Sequence, residues 1–218
     1  MSVVLAPRNV LAEFTGKARQ LHDAIAAKDE QCGRLISALA TRLTDRIRRG
    51  NPIPRVDTLV GIASEWQRNM PQRGRLLLEI DLNRRGKSLA IREMRVGASV
   101  FQSEEWDTAE CGLMVFGTVL EAAPFHFQFR VYSLAHVGLH GLARRLQRGL
   151  DDSEAAVLQD LRALGEAHHT LADRPDGADF VVPLEHGGAW RGNVCLVHDS
   201  RVGYDKALAA RTFVVDGM

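Results

Sequence analysis

The chain has 218 residues, 45% of them apolar and 25% charged, with a formal net charge of +1. That is the balance of a soluble globular protein, long enough for one large domain or a domain with an appendage, and it sets up no global field to attract or repel nucleic acid. Three widely separated cysteines without a CxxC pair argue against a disulfide framework or a cysteine-rich zinc site. No apolar run nears the roughly 20 residues of a membrane span. The opening MSVVLAPRNV lacks a basic stretch followed by a long apolar one, so a cytosolic protein of bacterial type is expected.

Residues 8 to 49 read as helix. Leu11, Phe14, Ala18, Leu21 and Ile25 recur three and four apart, and the pattern resumes at Leu35, Ile36, Leu39, Leu43 and Ile47. The polar stretch Ala27 to Gln31 and Gly33 divide the two parts, which favours two helices over one. Packing within the chain and a dimer contact both fit the apolar seam. Gly50 to Pro54 ends the helical stretch, and Asp57 caps a further helix, Thr58 to Asn69, whose buried face is Leu59, Val60, Ile62 or Ala63, and Trp66. Met70 to Gly74 is the clearest boundary, separating a helical region (1–70) from an α+β domain (71–218).

Beyond it the period changes to two. Arg75 to Leu82 and Ser88 to Val96 flank a hairpin turn, Asn83 to Lys87. Gly112 to Glu121 and Phe125 to Tyr132 predict two more strands, turned at Ala123-Pro124. The polar, acidic stretch Gln102 to Glu110, with Trp106, reads as a loop or short helix, its Glu104, Glu105, Asp107 and Glu110 either ligands for a hard cation or a solvated run. An amphipathic helix then begins between Ser133 and Gly138. Asp151 with Glu154 caps a second helix, which Gly165 ends. Phe180 to Leu184, Asn193 to His198 and Thr212 to Val215 are expected strands. The fold class is therefore α+β: a helical N-terminal region, then an antiparallel sheet packed with two helices.

The first of those two helices carries the most pointed chemistry. His140, Arg144 and Arg148, four apart, form one stripe opposite Leu139, Leu142, Ala143, Leu146 and Leu150. Histidine exchanges protons near neutral pH, and arginines hold phosphate and stabilise charge developing on it. Such a set suits metal-independent RNA cleavage, with His140 and Arg144 catalytic and Arg148, Arg145 and Arg191 binding phosphate; a solvated basic helix face is the plainer alternative. His136 and His140 would both reach one metal ion if they were i and i+4 on a helix. His168-His169 suits a helix C-terminus. Glu185 to Gly192 sets acid–base, aromatic and basic groups on one turn, either to stack a nucleotide through Trp190 or as a glycine-rich hairpin with Trp190 over the core. Arg211 is a further phosphate helper, and the arginines of Arg42 to Arg49 face a phosphate backbone or cap their own helix.

The run His140-Gly-Leu-Ala-Arg144-Arg-Leu-Gln-Arg148-Gly149, followed by Leu150 to Leu158, resembles a pattern of small RelE/ParE-like toxin-related proteins, S-x-H-A-x-x-R-x-x-x-R-G before an acidic-capped helix, over about 30 residues. The resemblance implies a ribonuclease-like fold with His140 and Arg144 near the site and Arg148 on a phosphate. The functional expectation is a nucleic-acid-directed protein of toxin or defence type, acting on RNA without a cofactor. The alternatives are a non-enzymatic nucleic-acid- or protein-binding module, with the N-terminal helices making a homodimer or partner contact, or a phage or mobile-element accessory protein. No membrane partner is expected.

Overall fold

A computed structural model describes residues 8–48, 55–103, 110–148, 151–199 and 203–215. Four helices, α1 (Arg8–Arg48), α2 (Val56–Asn69), α3 (Leu139–Arg148) and α4 (Glu154–Leu171), surround seven strands. These are β1 (Arg75–Asn83), β2 (Ser88–Ser103), β3 (Glu110–Ala123), β4 (His126–Gly138), β5 (Asp179–Pro183), β6 (Ala189–Asp199) and β7 (Gly203–Val214). The architecture is α+β, as the change of period at Gly74 predicts. The strand order is β1-β2-β3-β4-β7-β6-β5, antiparallel except where Ala135 to Val137 of β4 run parallel to Leu208 to Ala210 of β7. That parallel pair follows from the long crossover through α3, α4, β5 and β6 that separates the two strands. Gln102 and Ser103 at the far end of β2 also pair with His198 and Val197 of β6, so the sheet curls onto itself.

Helices cover both faces. On one face Met94, Val96, Leu113, Val115, Val137, Val194 and Leu208 meet α3, α4 and the first half of α1, which contributes Ala18 and Ile25. On the other, Leu89, Ile91, Leu120 and Ala122 meet α2, through Leu59, Ile62 and Trp66, and the second half of α1, through Cys32 and Leu39. The 14-residue α2 buries Leu59, Ile62, Ala63 and Trp66 as its spacing predicts, with Val60 half-buried; it starts at Val56, so Asp57 lies in its first turn and Arg55 takes the cap position.

Residues 8 to 48 form one helix of 41 residues, not two. The polar stretch at Ala27 to Gln31 is where α1 passes the start of β1: Ile25, the last buried apolar residue before it, lies against Gly74, and Cys32, the first after it, belongs to the opposite core. The helix changes sheet face there without breaking. The turn Gly50 to Pro54, Trp106, Leu150, the acidic side chains Glu104, Glu105, Asp107 and Glu110, and the side chains of Leu43, Arg46, Ile47, Arg48 and Arg49 lie outside the described residues. Arg42 is engaged by Glu65 at 2.7 Å.

The boundary Met70 to Gly74 is held from inside. Glu93, buried on β2, accepts hydrogen bonds from Trp66 Nε1 (2.8 Å), Arg75 Nε (3.1 Å) and Arg95 Nη1 (2.7 Å). Arg95 also donates to the carbonyls of Pro71 and Arg73, and Arg75 to that of Met70. One carboxylate therefore ties α2, β1, β2 and the connecting turn together. Two further departures concern the predicted helices. Gly165 does not end α4, which continues to Leu171, because the glycine lets the helix close on the sheet: a Cβ there would stand 2.7 Å from Met94 Sδ and 2.9 Å from Val115 Cγ1. The cap of α4 is Ser153, whose side chain accepts from the Ala156 amide, rather than Asp151. Asp151 instead accepts the Ser153 amide.

Replacing Glu93 with Gln leaves the two inward guanidinium groups without their counter-charge. The expected result is a loss of about 3 kcal/mol of stability, read as a lower denaturant midpoint in chemical unfolding, with Trp66 fluorescence reporting the same transition.

Candidate functional site

The predicted α3 stripe is divided by the packing of its helix. The strand β4 continues to Gly138, so α3 starts only at Leu139. His136 therefore sits on β4, paired with Met114 and Ala209 and buried at 1% exposure, while His140 is exposed on α3. The two do not share a helical face, and the i, i+4 metal pair is not formed. Leu142, Ala143 and Leu146 are buried as their spacing predicts. Arg144 is half-buried and donates to the Gln147 side chain at 3.0 Å. Arg148 donates to the Phe213 carbonyl at 2.8 Å, tying the end of α3 to β7.

Arg145 is not a surface phosphate ligand. It points inward, fully buried, with its Nε donating to Asp160 Oδ2 on α4 and its Nη1 donating to the Asp151 carbonyl at 2.6 Å. Its guanidinium also lies over the Phe213 ring, 5.5 Å from the centroid. A planar, permanently charged group with several donors suits such a position, where one carboxylate and one carbonyl must be met at once. Trp190, expected either as a stacking platform or as cover for the core, takes the second role: it is buried edge-on against Phe213 at 5.1 Å. Arg191 is exposed on β6, opposite Val181 of β5 and Thr212 of β7. Arg211 is exposed on β7, at the register shift opposite Arg191 and Gly192.

What the fold assembles instead is a three-residue relay at the β5–β6 turn. The second oxygen of Asp160, Oδ1, lies 2.6 Å from His186 Nε2. The Asp160 side chain is 1% exposed and that of His186 is 34% exposed, so the chain of contacts runs from the buried Arg145 through a buried carboxylate to an imidazole that reaches solvent. The turn that carries His186 is closed by two backbone bonds, Leu184 N to Gly188 O and Gly187 N to Leu184 O. Gly187 and Gly188 adopt φ of +84° and +141°, which lets the turn fold back toward α4.

His186 and Asp160 line a groove of about 470 Å³ between α4 and this turn, together with Gln159, Arg162, Glu166, Leu184 and Glu185. Its lining is half polar and half apolar, and Arg162 and Glu166 on α4 pair with each other at 2.8 Å. Neither His140 nor Arg144 nor Arg148 lines it. Because Asp160 Oδ1 accepts, the hydrogen of the imidazole is assigned to Nε2, which leaves Nδ1 of the neutral ring as a proton acceptor. The other histidine pair lies in the last turn of α4, where His168 Nε2 approaches the Lys206 carbonyl at 2.8 Å and helps seat the helix on β7.

Nearby, the Asp151 carboxyl is held below the usual carboxylate range, chiefly by the hydrogen bond it accepts from the Ser153 amide and then by the Ser153 side chain, with the positive charge of Arg145 adding to it. A depressed carboxyl stabilises the folded state above its unfolded pKa of about 4, and that contribution is lost as the pH falls through the folded value. Asp151→Asn is expected to flatten the acid limb of a stability–pH profile and leave the neutral plateau in place. Arg145→Met, which leaves the Asp160 carboxylate buried without its cation, is expected to cost about 3 to 5 kcal/mol. Arg145→Met combined with Asp160→Leu should recover most of that loss in the same unfolding measurement.

Among the described residues no helix is long and apolar enough to cross a membrane. No protein-family model, curated protein or solved structure matches the chain.

Proposed function

We propose that the groove between α4 and the β5–β6 turn is the site of an acid–base reaction on a small polar substrate, with His186 as the group that takes up and returns the proton. The observation that carries this reading is the His186–Asp160 contact of 2.6 Å, backed by a buried arginine and opening into a groove. A carboxylate on one ring nitrogen fixes the tautomer and orientation of an imidazole and stabilises the charge it acquires, so the other nitrogen works as a base. In a hydrolysis, Nδ1 of His186 would accept a proton from water as its oxygen attacks the substrate, and would return that proton to the leaving group. Asp160 keeps its charge throughout. The groove's volume falls in the range of small-molecule sites.

The test uses two chromogenic probes, a carboxylic ester and a phosphodiester of p-nitrophenol. The wild-type chain is expected to turn over at least one of them. His186→Gln should lower the rate about a hundredfold or more, with the fold intact by circular dichroism. Absence of turnover on both probes, or an unchanged rate in the variant, would rule the reading out.

A second reading is kept alive by one observation, the exposed His140 with the half-buried Arg144 one turn further on. Here the protein is a nucleic-acid-directed protein of toxin or defence type, a metal-independent ribonuclease or a binding module, with α3 on RNA. Incubation with RNA separates the two cases. Cleavage lost in His140→Ala but retained in His186→Gln favours α3, and the reverse favours the groove.

A further inference from the structure

At the end of the sheet opposite the groove, two hairpin tips stand side by side. Leu89 of β2 pairs with Ala122 of β3, which sets the β1–β2 turn next to the β3–β4 turn. The first tip presents Arg84, Arg85 and Lys87, all exposed, and no hydrogen bond or ion pair among the described residues engages their side chains. Glu121, the carboxylate on the neighbouring strand, already faces Arg92 at 3.3 Å and His126 at 3.8 Å.

The second tip presents Phe125, 77% exposed and with φ of +63°. It follows Pro124 in a two-residue turn, at the position where a positive φ calls for glycine or asparagine. A bulky aromatic there is disfavoured twice, by its backbone conformation and by its exposure to water. Nothing in the fold needs it: the next aromatics on β4, Phe127 and Phe129, pack against the core, and Phe125 does not.

We propose that the two tips form a docking surface for single-stranded nucleic acid, with Phe125 stacking on one base and Arg84, Arg85 and Lys87 holding the adjacent phosphates. An aromatic face stacks on any base, and arginine forks match phosphate oxygens, so one aromatic beside three unengaged cations is the pattern of a surface that follows a single strand. A lipid surface would need a broader apolar face than one side chain provides. The surface is independent of the groove chemistry and stands or falls separately from it.

The experiment measures binding of fluorescent oligo(dT) and oligo(U) to the whole protein by anisotropy, across a series of salt concentrations. Wild type is expected to bind at low ionic strength. Phe125→Gly should weaken binding about tenfold, and Phe125→Leu should not restore it, because the lost contact is stacking rather than apolar contact. The combined change of Arg84, Arg85 and Lys87 to Gln should lower the slope of log K against log salt by about 2, close to three phosphate contacts on a single strand. Phe125→Gly should leave the thermal midpoint unchanged or raise it. Four outcomes would overturn the proposal: no oligonucleotide binding by the wild type, variants that bind as the wild type does, a thermal midpoint lowered by Phe125→Gly, or binding to phosphatidylserine vesicles in place of oligonucleotides.

Discussion

Arg145 and Asp160 each have side chains about 1% exposed, and neither charge would be tolerated there alone. An unpaired buried ion carries a penalty of several kcal/mol, so each residue requires the other, and α3 and α4 are held at the separation their ion pair dictates. The same pair holds Asp151, through its carbonyl, and the β5–β6 turn, through His186. Loss of this contact would disturb one half of the core and the groove together. The site is therefore built on a structural interaction rather than added to a finished scaffold.

The buried carboxylate of Glu93 makes an instructive contrast. It too is enclosed and meets two arginines and a tryptophan N–H, but Trp66, Arg75 and Arg95 all lie in the interior or at its margin. It organises a turn and has no path to solvent through a titratable group. Asp160 has such a path, because one of its partners is an imidazole a third exposed. The two networks use similar chemistry, and the difference in what their last member touches separates a structural clamp from a candidate reaction site.

Much of the fold was legible from periodicity: the hairpin β1–β2, the alternating β4, the buried face of α2 and the α+β class all follow from the spacing of apolar residues. The misreadings have local causes. Polar residues at Ala27 to Gln31 looked like a helix break because spacing alone does not show a helix crossing from one core to another. The middle of β7, Ala207 to Ala210, escapes the pattern because its alanines carry little strand signal and are placed there by pairing with β6 and β4. The relay did leave a trace. Arg145 falls at the i+3 position after Leu142, beside Leu146, and Asp160 falls between Val157 and Leu161, so each stands on the buried stripe of its own helix. Opposite charges on the apolar faces of two successive helices are a sign of an internal pair. The contribution of His186 was out of reach, because it depends on a turn folding back onto α4 across a separation no local pattern records.

The closure between the end of β2 and β6 has a consequence for how the chain reaches this state. Gln102 and Ser103 wait for His198 and Val197, and β4 waits for β7, so the last pairings join segments separated by two helices and several strands. Loop-closure entropy must be met before such contacts give any return, and topologies rich in them fold slowly. Until β7 arrives, the edge of β4 at Ala135 to Val137 has no strand to pair with, and the part of α3 that rests on β7 has only α1 and the neighbouring strands against it. An unpaired strand edge is a template for pairing with another chain, so the late-pairing β4–β7 seam is the place in this topology where a copy of the same strand would compete with the native partner.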